Sequence, residues 1–339
     1  MSGAYVPYHL RTNKAVERQL FLEVLKKIND FYQLNKYEYV GFGGNFLEDY
    51  KLLGTLFDFR EMISIERDQS VYKRQLFNLP SKKITCTRQE SYDFIDDLDR
   101  SITTSKLVIW LDYANADLKQ QLREVADLAP KLINGDVLKI TFNAEPNSIK
   151  FRAPKVPQGA LRPNRNKLRL EKFQKLTSRY FPNSFAEYEH MSDVKKYPQL
   201  LKETLHLLVD SIFNVSSSLM FQPLTSYFYK DGAQMFTLTG IVLDKATLKP
   251  FMNKTKLYDW NLSNLKWSDK PIEINVPWLS IKEKAVLDSY LPEADEDILR
   301  RVHDDTNVSL CDEEQDSFEL FKEYAKYSRY VSQFMKVSV

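Results

Sequence analysis

The sequence has few of the residues that bind metals or cross-link a fold. Among its 339 residues are two cysteines, Cys86 and Cys311, and four histidines that lie far apart. Two cysteines are too few for a disulfide framework or a four-ligand zinc site. We therefore expect no metal, and the scarcity of cysteine suits a reducing compartment, which makes the cytoplasm the predicted location.

Long apolar runs and an excess of one charge are also lacking. No stretch reaches the roughly 18 apolar residues of a membrane span, and the first ten residues lack the layout of a secretory signal. The 48 basic and 46 acidic residues leave a net charge of +2. These features predict a soluble protein with no membrane partner, in which any polyanion would bind a local cluster of charge.

The first half of the chain alternates helical and strand patterns. Short, nearly continuous apolar segments predict strands at 37–40, 62–66, 83–87, 107–112 and 137–142. Residues at helical spacing predict helices at 13–34, 46–57, 68–77, 91–102 and 118–125. This alternation predicts an α/β fold built on a doubly wound, mostly parallel, Rossmann-like sheet.

The second half predicts an edge hairpin and a helical module. A helix is expected at 195–213, and strands at 219–229 and 234–243 flank Asp231-Gly232, a strong hairpin signal. Ser280 and Glu283 match a capping box that starts a later helix. The last helix carries an aromatic stripe that either packs in the core or contacts a protein partner or a second copy of the chain: Phe318, Phe321, Tyr324, Tyr327, Val331 and Phe334.

These patterns predict five segments. They are an N-terminal helix at 1–35, a Rossmann-like domain at 36–150, a basic loop and helical insertion at 151–215, a β-hairpin completing the sheet at 216–245, and a mainly helical C-terminal module at 246–339.

A glycine turn and two acids follow successive strands. In an open α/β sheet, the ligand binds beyond the carboxyl ends of the strands. The candidate cofactor residues at these ends are Gly41, Gly43, Gly44, Glu66 and Glu90. Glycines let a ligand approach the backbone, and an acid about 20 residues further on can accept hydrogen bonds from ribose hydroxyls. A dinucleotide fingerprint is disfavoured, because Phe46 occupies the position of its third glycine.

Three stretches resemble a class I S-adenosylmethionine-dependent methyltransferase: Tyr39-Val40-Gly41-Phe42-Gly43, Glu66, and Trp110-Leu111-Asp112-Tyr113. The resemblance covers roughly residues 35 to 145 and implies S-adenosyl-L-methionine as cofactor, with an oxygen or nitrogen nucleophile as acceptor. The family usually has an acid where this chain has Tyr39 and a third glycine where it has Asn45.

Other interpretations of these residues stay open. The glycines can simply form a tight strand-helix turn, and Glu66 can be a solvated carboxylate. The protein would then be a catalytically degenerate Rossmann-like binding or scaffold protein in a larger assembly. Dinucleotide-dependent oxidoreduction is a third possibility, which Phe46 weakens.

The chemistry of methyl transfer points to the end of the fourth predicted strand. Methyl transfer needs an aligned acceptor and a group that accommodates its proton. Asp112 is the candidate acceptor-orienting base, and Tyr113 is the candidate packing residue against acceptor or cofactor. Alternatively, Asp112 caps the turn that follows.

A basic stretch runs from Arg152 to Arg179 after the fifth predicted strand. Only Glu171 opposes its basic residues. We predict that it contacts phosphates of a nucleic-acid substrate, with Arg162, Arg165 and Arg169 as candidate contacts. The alternative is a solvated basic face.

Overall fold

The fold is organised around a single mixed sheet. The structure, a computed structural model, describes residues 11–113, 115–152, 162–214, 218–291, 295–306, 310–311 and 314–331. Within these ranges, eight strands form one sheet in the order β3-β2-β1-β4-β5-β7-β6-β8.

The first half alternates helices and strands, as its apolar pattern predicts. Its elements are α1 (Thr12–Asn29), β1 (Glu38–Gly41), α2 (Glu48–Phe57), β2 (Glu61–Glu66), α3 (Gln69–Phe77), β3 (Ile84–Arg88), α4 (Ser91–Asp97), β4 (Leu107–Asp112), α5 (Leu118–Leu128) and β5 (Val137–Asn143). All pairings among β1 to β5 are parallel.

The second half adds the hairpin and further helices. Its elements are α6 (Arg165–Thr177), α7 (Lys196–Phe213), β6 (Leu219–Lys230), β7 (Gln234–Asp244), α8 (Leu248–Thr255), β8 (Ile272–Ile274), α9 (Ile281–Asp288), α10 (Glu296–Thr306) and α11 (Glu314–Tyr327). β7 pairs antiparallel with β5, and Gly232 takes a φ of 123° in the turn between β6 and β7. The predicted α/β fold with an antiparallel hairpin is confirmed.

Two helices end earlier than their apolar patterns predict. α1 stops at Asn29, whose side chain accepts a hydrogen bond from the backbone of Leu34 at 3.0 Å. α4 stops at Asp97, where the ammonium group of Lys131 donates to three backbone carbonyls of its last turn at 2.6 to 3.2 Å. In both cases a polar side chain satisfies backbone groups that a longer helix would have paired internally.

The chain divides into two compact units. The first comprises Met1–Tyr5, Val24–Phe228 and Ala233–Ile272, and it contains every candidate site residue. Its main core packs the β1, β4 and β5 side chains against α5 and α7.

The second unit comprises Val6–Glu23, Tyr229–Gly232 and Glu273–Val339. Ser280 and Glu283 form the predicted capping box at the start of α9. The stripe residues Phe318, Phe321, Tyr324 and Tyr327 are buried, which fits the core interpretation, while Phe334 lies outside the described residues. No helix in the described ranges is long and apolar enough to cross a membrane.

Candidate functional site

The glycine turn lies where the sheet reverses its strand order. β1 has β2 on one side and β4 on the other, and Gly41 pairs with both Ser64 and Trp110. Glu66 and Asp112 each lie two residues beyond those partners, so they flank the turn on opposite sides. Because neighbouring strands are about 4.8 Å apart and β1 lies between β2 and β4, the backbones of Glu66 and Asp112 are about 10 Å apart. Ligands of open α/β sheets bind at such a reversal.

The turn itself needs glycine for internal reasons. Gly44 has a φ of 54°, which favours glycine. A Cβ at Gly43 would lie 2.5 Å from Ser64 Oγ and would also collide with Leu47 Cδ2. Any side chain at Gly43 would therefore push against the protein's own interior, so substitution there would disturb the packing of the turn itself.

Side chains from α2, from α3 and from Asn78, the residue that follows α3, hold the carbonyl groups of the turn. The Tyr50 hydroxyl shares its hydrogen between the carbonyls of Gly41 and Ile63, at 2.8 and 2.7 Å. The Gln75 amide donates to Gly44 O at 2.9 Å, and the Asn78 amide donates to Asn45 O at 3.1 Å. Sequence reasoning missed these residues as parts of the site.

Tyr39 and Asn45 mark the two departures from the family's glycine motif. The Tyr39 ring is buried and contacts Tyr50 edge-on, with 5.0 Å between the ring centroids. Asn45 is also buried, and its carbonyl accepts the hydrogen bond from Asn78. Both residues therefore take part in the packing of the turn.

Glu66 presents a partly exposed carboxylate at the end of β2. Its Oε1 accepts a hydrogen bond from the backbone N–H of Asp68 at 2.7 Å. Burial raises the pKa of the Glu66 carboxyl above its ordinary value. Asp68 itself caps α3 by accepting from the backbone N–H groups of Ser70 and Val71.

Glu90 occupies the N-cap position of α4, after β3. Its side chain is partly exposed and lies 3.8 Å from the guanidinium of Arg67, which immediately follows Glu66. Glu66 and Glu90 thus follow the adjacent strands β2 and β3 on one side of the glycine turn.

Tyr113 is fixed by a buried carboxylate that sequence reasoning missed. The Tyr113 hydroxyl donates to Glu124 Oε2 at 2.6 Å, and the Ser91 hydroxyl donates to the same oxygen at 2.8 Å. Gln120 donates to the other oxygen at 2.9 Å. The Glu124 side chain is 2% exposed. Burial, with a further contribution from Glu124, raises the pKa of Tyr113 well above its ordinary value.

Three aromatic rings meet at this edge. Tyr113 lies between Phe42, with ring centroids 5.8 Å apart, and Phe142, with centroids 6.0 Å apart. Phe42 follows β1 directly, so the rings form an apolar wall next to the glycine turn.

Asp112 ends β4 opposite Thr141 and is partly exposed. Asp117, rather than Asp112, caps α5, because its side chain accepts the Gln120 backbone N–H at 3.2 Å. The role of Asp112 toward an acceptor therefore stays a prediction.

The candidate phosphate contacts divide into two kinds. Arg162, which precedes α6, and Arg165, its first residue, are both exposed. Arg169 is partly buried and donates to the side chains of Asn147 and Asn166. Arg169 thus ties α6 to the 3-10 turn Pro146–Ser148, which comes shortly after β5.

The described residues contain no group of three His, Cys, Asp or Glu side chains arranged to hold a metal ion. Cys86 and Cys311 are free thiols.

The chain matches one protein family over nearly its whole length. A family model described as "Putative O-methyltransferase" matches residues 6–339. This match confirms the methyltransferase resemblance predicted from the glycine turn and the strand ends. No curated protein sequence matches the chain.

Solved methyltransferase structures align with the chain at low identity. Trm1 from Pyrococcus horikoshii, solved with S-adenosyl-L-methionine, is 10% identical with a TM-score of 0.40, over 94% of this chain and 81% of that one. The O-methyltransferase TomG from Streptomyces achromogenes, solved with SAM, is 12% identical with a TM-score of 0.36, over 66% and 79%.

A variant of MtNAS, solved with S-adenosylmethionine, is 12% identical with a TM-score of 0.28. That alignment covers 37% of this chain and 46% of the other, so the chain spans less than half of that protein's length.

Proposed function

This chain belongs to that O-methyltransferase family, and we propose that it binds S-adenosyl-L-methionine at the glycine turn and transfers its methyl group to an acceptor hydroxyl. The observation that supports this best is the register that places Glu66 and Asp112 on opposite sides of the turn at the strand reversal. One acid can then serve the cofactor while the other serves the acceptor.

The residues at the turn fit such a cofactor. Within the described residues, the backbone N–H groups of Gly43 and Gly44 donate to no protein acceptor, so they are available to an anionic group such as a carboxylate. The partly exposed Glu66 carboxylate can accept from ribose hydroxyls while its Oε1 keeps the Asp68 hydrogen bond. The partly exposed ring of Phe42, which packs against the buried Tyr113, can offer a face to a cationic sulfonium.

When bound, the cofactor supplies an electrophilic methyl group on a sulfonium. The protein then has to align the acceptor oxygen and accommodate its proton. Asp112 would orient the acceptor and take the proton, and Tyr113, fixed by Glu124, would limit where the acceptor can lie. Glu90, which follows β3, would contact the cofactor on the side away from Asp112.

The test separates binding from transfer. Isothermal titration calorimetry should detect binding of S-adenosyl-methionine and S-adenosyl-homocysteine, and no heat with NAD. Glu66→Gln should weaken binding by about 10- to 100-fold, because a hydrogen bond to a charged group contributes about 1.5–3 kcal/mol. The matched control is Glu61→Gln at the other end of β2, where the carboxylate accepts from Thr85 at 3.1 Å, and it should bind normally.

Asp112→Asn should keep the cofactor affinity within about twofold and lower transfer of a labelled methyl group to hydroxyl acceptors by about 100-fold, the scale of general-base catalysis. Absence of binding to either compound would remove the enzyme proposal and favour the scaffold alternative. Equal transfer by the Asn variant would leave Asp112 a structural residue and return the question to Glu90.

The two free thiols also support a cytoplasmic location, which we propose together with the activity.

A further inference from the structure

A strongly basic face covers the solvent side of α6 and its flanks. We define the basic face by its exposed and partly exposed basic residues: Arg162, Arg165, Lys167, Lys172, Lys175 and Arg179. Glu171 is the single acid between residues 162 and 179. Within the described residues, no side chain of the basic face forms an ion pair. Direct ion pairs within the described part of the chain therefore do not neutralise its charge.

Three of these residues form a line along the helix. At 100° per residue, Arg165, Lys172 and Lys175 fall within a sector of about 80°, and the buried Leu170 and Phe173 lie outside that sector. Arg165 and Lys175 are ten residues apart, or about 15 Å along the axis. That length matches about four phosphates of one strand at about 3.4 Å each.

The basic face lies close to the candidate site along the chain. β5 ends at Asn143, at the sheet edge that carries Asp112. Asn147, which Arg169 holds, is four residues further on and therefore within about 14 Å of that strand end. Arg169 thus fixes α6 near the edge where methyl transfer is proposed.

We propose that the basic face binds the phosphates of RNA and that the acceptor is a ribose 2′-hydroxyl. This inference rests on the proposed function. The face lacks the large exposed apolar side chains that membrane-binding helices insert and that protein interfaces use as anchors, since none occurs between residues 162 and 180. A face that offers charge alone suits a phosphate backbone.

The choice of a ribose hydroxyl as acceptor follows from the chemistry of the family. An O-methyltransferase needs an oxygen nucleophile, and the 2′-hydroxyl is the one that RNA carries at every internal nucleotide and DNA lacks. The ribose oxygen bonds to the methyl carbon, the carbon–sulfur bond breaks with its electron pair on sulfur, and the hydroxyl proton passes to Asp112.

The binding experiment compares two triple variants of equal charge change. Arg165→Glu, Lys172→Glu and Lys175→Glu together should weaken binding of a single-stranded RNA at least tenfold at about 100 mM salt. They should also flatten the dependence of log K on log salt by about two units, since three contacts at about 0.7 each are lost. The control combines Lys82→Glu, Lys249→Glu and Lys254→Glu, which are exposed positions elsewhere, and should bind within twofold of the parent.

The transfer experiment compares RNA with DNA of the same sequence, using methyl-labelled cofactor. Both should bind, and only RNA should gain label, at positions that resist alkaline cleavage because the 2′-oxygen is blocked. No RNA binding by the parent protein at about 50 mM salt, equal losses in both triple variants, or preferential binding to anionic vesicles would overturn the inference. Label on DNA, or RNA that binds without gaining label, would overturn the assignment of the ribose 2′-hydroxyl as acceptor. Cofactor calorimetry shows separately whether the proposed function stands.

Discussion

The contact between Tyr113 and Glu124 gives the sharpest test of how this site is held together. The hydroxyl and the carboxylate oxygen are 2.6 Å apart, and the carboxylate is almost completely buried. Replacing Tyr113 by Phe removes this bond but leaves Glu124 its bonds from Ser91 and Gln120. Replacing Glu124 by Gln removes the charge at nearly constant size.

A double-mutant cycle measures this contact without the other effects of each substitution. Buried hydrogen bonds to a charged group contribute about 1.5–3 kcal/mol, and shorter charge-assisted bonds are the stronger ones. We therefore expect a coupling free energy of about 2 kcal/mol between Tyr113→Phe and Glu124→Gln. The free energies of unfolding come from urea denaturation followed by far-UV circular dichroism.

The control cycle pairs Glu124→Gln with Tyr92→Phe. Tyr92 follows Ser91 in α4, but its side chain is 45% exposed, so its coupling to Glu124 should be close to zero. A coupling below about 0.5 kcal/mol for Tyr113 would fall within the range of independent residues. It would mean that Glu124 does not fix Tyr113.

Two other buried charges should be as important for stability. Asp136→Asn should lower the free energy of unfolding, measured by urea denaturation, by about 3 kcal/mol. Asp136 accepts from Arg100 at 3.1 Å and from two backbone N–H groups, one of which would face the new amide N–H. A loss below about 1 kcal/mol would contradict this expectation. Lys202→Met should lower the free energy of unfolding by a similar amount, because the Lys202 ammonium donates to Asn264 and to two backbone carbonyls that would be left without a donor. An unchanged free energy of unfolding near neutral pH would show that water replaces the ammonium group.

Strands β1, β4 and β5 were predictable because burial on both faces makes them nearly continuous apolar segments. Turn chemistry likewise identified the hairpin at Asp231-Gly232. Helix ends were less predictable, since α1 and α4 stop where Asn29 and Lys131 bond to the backbone. Those contacts depend on tertiary placement, which the apolar pattern does not encode.

The polar groups that shape the site were missed for a related reason. Glu124 lies four residues before the buried Leu128, so it falls within the buried side of α5, where an acid must find partners. Gln75 is fully buried, and it is the one buried residue of α3, where Leu76 and Phe77 are exposed. For Glu124, a polar residue in phase with buried positions was the available signal, but its partners Ser91 and Tyr113 come from outside α5. No such phase marks Gln75, because α3 has no other buried residue.

The departures from the family's glycine motif acquire a physical meaning in the structure. Tyr39 stands where the family usually has an acid, and its ring packs against Tyr50, whose hydroxyl reaches the carbonyl of Gly41. Gln75 of α3 and Asn78, which follows it, donate to the next carbonyls of the turn. The carbonyl side of the turn is therefore held by the protein itself. Within the described part of the chain, the N–H groups of Gly43 and Gly44 have no protein acceptor, and in our proposal they bind the cofactor. The altered motif then changes how the turn is supported and not which backbone groups the proposed cofactor would contact.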